Sequence, residues 1–142
     1  MSYGGRTVFV DASVIIAILN EEPGYQVLER LLEGESKLYV SPIVKFEAVN
    51  ALTALYAGSG NADTFDQARA IVDEFIEAMG AREIAIDGKV GRIALDAMGQ
   101  FGKVAGHPAA LNLGDCFSYG AAKTYRLKLA YLGDDFSQTD MA

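Results

Sequence analysis

One cysteine, one histidine, three prolines and no tryptophan leave this 142-residue chain with few of the usual reactive side chains. The single thiol, Cys116, excludes an internal disulfide and a cysteine-built zinc site; it is expected as a small core residue. The lone histidine, His107, excludes a histidine pair for zinc. Its place in a loop-like stretch makes a solvated side chain the expectation. No apolar run reaches the ~20 residues that span a bilayer, and no basic-then-apolar leader is seen, so a cytoplasmic chain without membrane contact is expected. P-loop and GxSxG motifs are absent too, which removes those nucleotide-binding and hydrolase classes.

What is present is a folded chain. It is 51% hydrophobic and 22% charged, a balance that buries a core, and its length suits one domain spanning residues 1–142. The net charge of −7 argues against a simple nucleic-acid binder. The charge is uneven, however: Asp11 to Ala81 carries a net −8, whereas Arg82 to Lys128 carries a net +3. The second stretch offers a local basic surface (Arg82, Lys89, Arg92, Lys103, Lys123, Arg126, Lys128), although a mixed solvated face explains the same charges.

Hydrophobic periodicity supplies the elements. Thr7 to Val10 is a strand that runs into Asp11, and an apolar helical stretch follows at once. Met1 to Arg6 is a frayed polar start. Gly24 to Glu33 is an amphipathic helix with Val27, Leu28, Leu31 and Leu32 inward, and Lys37 to Val40 is a strand. Ser41-Pro42 opens a helix to about Tyr56, with Phe46, Val49, Leu52 and Tyr56 as its buried stripe. After a loop at 57–64, a helix capped by Asp63 or Thr64 runs to Met79, with Phe65, Ala68, Ile71, Val72, Phe75 and Ile76 inward. Arg82 to Ile86 is a strand, Asp87 caps a helix over Gly88–Phe101, and Asp96 lies on its surface. A long loop, 102–114, ends where Asp115 caps a helix through Tyr125. Lys128 to Leu132 is the last strand, followed by Gly133-Asp134-Asp135-Phe136.

Alternating strands and helices predict an α/β fold, a parallel twisted sheet of four to five strands flanked by helices. Ligands in such folds sit at the carboxyl ends of the strands. Asp11 ends the first strand and Asp134-Asp135 the last. Glu47 lies in the helix after the second strand, with Asn50 as its neighbour three residues on. Asp115 opens the helix before the last strand. All these points fall on one edge of a parallel sheet. Taken alone, Asp11 and Asp115 are ordinary helix caps, Ser13 a local backbone partner and Glu47 a surface acid. Together, converging carboxylates repel and raise one another's pKa, and a hard divalent cation resolves that conflict.

Four segments carry a resemblance: Val10-Asp11-Ala12-Ser13; Phe46-Glu47-Ala48-Val49-Asn50; Gly106 to Tyr119, with Leu111-Asn112-Leu113-Gly114-Asp115-Cys116-Phe117-Ser118-Tyr119 at its heart; and Gly133-Asp134-Asp135-Phe136-Ser137-Gln138-Thr139-Asp140. The chain resembles the PIN-domain ribonucleases, in particular the VapC toxins of type II toxin–antitoxin pairs, over nearly its whole length. The resemblance implies Asp11 and Asp115 as ligands of Mg²⁺ or Mn²⁺, with Glu47 completing the acidic set. It places the fourth acid on the Asp134-Asp135 pair, Asp134 being preferred, and has Ser13 orient Asp11 or a water. It further implies RNA phosphodiester hydrolysis, with transfer RNA as a candidate target, a homodimer, and a VapB-like antitoxin as partner. The stretch Lys103 to Gly106 lacks a second basic residue that relatives often carry.

From the residues alone two other readings stay open. One is a catalytically weak RNA- or partner-binding module of the same fold. The other is a different Mg-dependent phosphohydrolase or phospho-acceptor domain, although Asp11 is followed by Ala12-Ser13 and not by the Asp-x-Asp of one such class.

Overall fold

A computed structural model describes residues 6–57 and 62–142. In chain order its elements are β1 (Thr7–Val10), α1 (Ala12–Leu19), α2 (Tyr25–Glu33), β2 (Lys37–Val40), α3 (Pro42–Ala57), α4 (Ala62–Ala78), β3 (Arg82–Glu83), α5 (Gly88–Phe101), α6 (Leu113–Tyr125) and β4 (Lys128–Ala130). A single 3₁₀ turn, Lys103–Ala105, interrupts the α5–α6 connection. The polar start at 1–5 and the core of the 57–64 loop lie outside the described residues.

The four strands form one sheet in the order β3-β2-β1-β4. Every pairing is parallel, with Val8 opposite Leu38 and Phe9 opposite Leu129. Val8, Phe9 and Val10 are all buried. Side chains on a strand alternate between faces, so a continuous buried run marks a strand covered on both sides. β1 is therefore the axis of the domain. Val44, Ala48 and Leu52 of α3, Ala68 and Val72 of α4, and Val90 and Ala94 of α5 close the core around it. Each large apolar side chain buried in this way contributes roughly 1.5–3 kcal/mol.

Two strands are shorter than expected, for one reason. The amide of Ile84 donates to the Val40 carbonyl at 2.9 Å, but β2 then turns into α3 at Ser41-Pro42, so the chain beyond Glu83 has no partner strand. The amide of Asp11 donates to the Ala130 carbonyl at 3.0 Å; β1 then becomes α1, and β4 loses its neighbour before Leu132. The α3 stripe is also phased differently from the expectation. Phe46 is 74% exposed and Tyr56 is exposed, while Val44, Ala48, Val49 and Leu52 are buried. On α2 only Leu32 is buried; Val27 and Leu31 are exposed. On α4, Ala68 and Val72 are buried but Phe65 is exposed. That helix already begins at Ala62, so neither Asp63 nor Thr64 is its cap; Asp63 lies in its first turn, and the capping position falls outside the described residues.

α5 and α6 pack at close range. A Cβ at Gly120 would sit 2.7 Å from the Val90 carbonyl oxygen, so only glycine lets α6 approach α5 there.

Candidate metal-binding active site

Because all strands run the same way, their carboxyl ends share one edge, and the acids gather there. Asp11 follows β1 and caps α1, its Oδ2 accepting from the Ser13 amide at 3.1 Å. The Ser13 hydroxyl donates to the same oxygen at 2.7 Å and accepts from the Leu132 amide at 3.1 Å. The other oxygen, Oδ1, accepts from the Ser118 hydroxyl at 2.6 Å. Asp11 is only 6% exposed. The α1 cap is thus also one of the clustered acids.

Glu47 lies in the second turn of α3, half-buried. The helix begins at a strand end, and its buried face, set by Val44 and Ala48, turns the glutamate toward the sheet edge. Its carboxylate occupies the space that a Cβ at residue 114 would need; Gly114 leaves it vacant. Burial, and then the charge of Asp11, push Glu47 up to about 7.

Asp115 is not the cap of α6. Asn112 is: its side chain accepts from the Asp115 amide at 2.9 Å, and the Asp115 carboxylate accepts from the Asn112 amide at 3.1 Å. This reciprocal capping box satisfies two orphan donors of the first turn and locks Asp115 in place, 7% exposed. Burial, and then the neighbouring Asp135 and Asp11 carboxylates, push Asp115 up to about 7, against the opposing pull of the Asn112 amide.

The tail contributes Asp135. Gly133 turns the chain with φ 86°, a left-handed conformation that suits glycine. Phe136, 1% exposed, then plugs into the core with its ring edge-on to Tyr131, 5.0 Å between centroids. Asp140 pins the far end, accepting from the Tyr119 hydroxyl at 2.7 Å and pairing with Lys123. Asp135 is the acid in contact with Asp115, whereas the sequence preference was for Asp134. Asp134 is exposed, and its backbone carbonyl accepts from the Ser137 amide and hydroxyl.

The remaining candidates divide plainly. Asn50 is exposed on α3 and lines a groove with Phe46, Phe65 and Arg69, outside the acidic cluster. His107 is partly buried, its ring edge-on to Phe101 at 5.1 Å and its Nδ1 accepting from the Ala109 amide, which gives it a loop-fixing role. Asp87 caps α5 and Asp96 is exposed. Cys116 is buried. Ser118, 1% exposed, was not singled out in the sequence. Its position three residues after Asp115, hence on the same helix face, was the available signal.

Asp11, Glu47, Asp115 and Asp135 form an oxygen-only donor set in which Glu47 and Asp115 are pushed up by burial and by their acidic neighbours, the condition that a hard cation relieves. Among the described residues, no group of three or more His, Cys, Asp or Glu side chains is arranged to hold a metal ion, so the fit rests on the donor chemistry. The arrangement fits an open site for a cation that keeps several waters. A cavity of about 620 Å³ lies elsewhere, beside the start of β2, and is lined by Ile18, Leu32, Phe75 and Met79. No described helix is long and apolar enough to cross a membrane.

Comparison with known proteins identifies the family. Residues 8–141 match the PIN domain. A VapC ribonuclease of Rhizobium meliloti (strain 1021) is 60% identical over 139 residues, covering 94% of this chain and 98% of that protein. Ribonuclease VapC42 of Mycobacterium tuberculosis (strain H37Rv) is 37% identical over 134 residues, covering 94% and 96%. Among solved structures, the sarcin-ricin loop cleaving toxin VapC20 of Mycobacterium tuberculosis superposes with a TM-score of 0.68 at 16% identity, covering 92% of each chain. VapBC2 of Rickettsia felis, bound to a promoter DNA fragment, gives 0.67 at 14% identity, covering 95% and 94%. This chain belongs to the PIN-domain family and, within it, to the VapC ribonucleases, which are nucleases of the hydrolase class.

Proposed function

We propose that this chain is the toxin of a type II toxin–antitoxin pair, an endoribonuclease that uses Mg²⁺ or Mn²⁺ to cut a structured RNA, with transfer RNA the first candidate. The observation that carries the reading is the gathering of Asp11, Glu47, Asp115 and Asp135 from four separate segments onto one edge of the sheet. Asp11 and Asp115 hold the cation, and Glu47 and Asp135 complete its oxygen shell directly or through water. When bound, such a cation supplies water activation and neutralises charge building on the phosphodiester. The capping box of α6 and the two serines on Asp11 keep the carboxylates from moving as an RNA strand approaches. The net-positive stretch Arg82–Lys128 supports the phosphate backbone on either side, and unpaired loops are the RNA form that an open cleft admits.

A VapB-like antitoxin silences the site by laying a basic segment across the acids. A second copy of the chain pairs through the apolar side chains that α5, the 3₁₀ turn and the α6 start leave in water: Leu95 is 61% exposed, Val104 77% and Leu113 69%. The compartment is the cytoplasm, where the RNA is.

The test is expression of the wild type beside Asp11→Asn in a bacterial host, with RNA 5′ ends mapped. Growth arrest and new discrete ends with the wild type alone are expected, both proteins being folded. Equal toxicity of Asp11→Asn overturns the assignment.

A further inference from the structure

We infer that Ser118 is a positioning residue of the acidic site: its hydroxyl holds Asp11 in the orientation that Asp11 needs to share a divalent cation with Asp115. The inference rests on the metal-site reading above and goes beyond it, by naming which Asp11 oxygen does the binding and what aims it.

The hydrogen-bond count of the carboxylate makes the argument. An ionised carboxylate has about four acceptor positions, two on each oxygen. Asp11 Oδ2 receives two donors, the Ser13 amide at 3.1 Å and the Ser13 hydroxyl at 2.7 Å. Ser13 has no freedom in this: its oxygen accepts from the Leu132 amide at 3.1 Å, and its one proton goes to Asp11. Oδ2 is therefore filled. Oδ1 receives one donor, Ser118 at 2.6 Å, and retains one acceptor position. That position is the one left for a cation, and the Ser118 bond sets its direction.

The placement of Ser118 explains why this matters. A serine inside a helix usually points to solvent or bonds back to its own helix. Ser118 is 1% exposed and instead spans 107 positions to reach the end of β1. One turn earlier, the same helix carries Asp115. Thus α6 supplies one carboxylate and clamps the other, so the spacing between the two is held by a single rigid element.

The experiment measures Mn²⁺ binding by calorimetry on the full chain, together with metal-free Tm and cleavage at varied Mn²⁺. Removing an outer partner of a metal ligand typically costs roughly 10–100-fold in affinity, and Ser118→Ala is expected to fall in that range. Its KM for RNA stays at the wild-type value, and saturating Mn²⁺ restores most of kcat. Should Ser118→Ala misfold, Ser118→Cys, which is close in size and a weaker donor, is expected to bind Mn²⁺ less tightly than wild type. Wild-type Mn²⁺ affinity in the folded variant overturns the inference, whatever its Tm. Asp11→Asn separates the two levels. If Asp11→Asn binds Mn²⁺ like wild type, the metal-site reading fails; if it loses binding while Ser118→Ala keeps it, only the positioning role fails.

Discussion

The Glu47 carboxylate rests directly over the backbone of Gly114, in space that any larger residue at 114 would claim. Residue 114 lies in the first turn of α6, where alanine is intrinsically the better helix former by roughly 1 kcal/mol. Gly114→Ala is therefore expected to leave Tm unchanged or higher while pushing Glu47 off the site. Cleavage drops at least about tenfold, the order of effect of a misplaced catalytic group. Parallel thermal melts and cleavage assays check both halves, and retained activity would show that Glu47 has no part in catalysis.

The tail contact distinguishes two adjacent acids. Asp135 is the tail acid near enough to act on Asp115, whereas the Asp134 backbone forms the turn to Ser137. Asp135→Asn is expected to lower cleavage about tenfold or more, and Asp134→Asn to stay within about twofold of wild type. Comparison of single-turnover rates at fixed Mg²⁺ decides the matter. Equal losses in the two variants would mean that the tail acts as a charged patch and not through one ligand.

Cation binding should also stabilise the fold, because the acids meet only in the native state. At a free Mg²⁺ concentration about 100 times its Kd, the linkage gain is about 2.7 kcal/mol. The wild-type Tm is expected to rise with added Mg²⁺ and fall back with a chelator. Asp115→Asn removes one proposed ligand and the repulsion around it, so its metal-free Tm should not fall while its Mg²⁺ response flattens. An unchanged Mg²⁺ response in Asp115→Asn would remove Asp115 from the ligand set.

Asp140 gives the acid limb of the stability profile a specific cause. Burial works to raise its pKa, but hydrogen bonds from Lys123 and Tyr119 outweigh it and hold the carboxyl below its ordinary value. A carboxylate depressed in the folded state contributes stability above its unfolded pKa and loses it as pH falls through the folded one. The tail clasp is thus expected to weaken below about pH 4. Asp140→Asn should flatten that part of the Tm–pH curve and expose 133–141 to protease at neutral pH. An acid limb unchanged in Asp140→Asn would assign the loss to other carboxylates.

Much of this was legible in the chain, and the exceptions have physical causes. The run Val8-Phe9-Val10 before Asp11 announces a strand buried on both faces, because such a strand needs no polar face at all. Phe46 is hard to place from the sequence because polar and apolar residues are interleaved around α3, and the structure fills the buried face with Val44, Ala48 and Leu52 instead. Asp115 reads as a cap in the sequence because the spacing Asn112-x-x-Asp115 puts two good capping residues three apart, and only the backbone shows that Asn112 comes first. The choice between Asp134 and Asp135 depended on Phe136, whose burial fixes the phase of the tail. Ser118 is one serine among many until α6 is docked, since its partner Asp11 lies far away in sequence.

β1 pairs with β4 at the edge where the acids meet, joining residues 8–10 to 128–130. Contacts of such separation form late, because the loop entropy between them must be overcome before they repay it. Asp11, Glu47, Asp115 and Asp135 thus have no local existence along the folding route: none of the segments that carry them can build even half the site alone. The four acids come together only as the sheet and α6 do, so a chain that has lost the β1–β4 pairing has lost their arrangement with it.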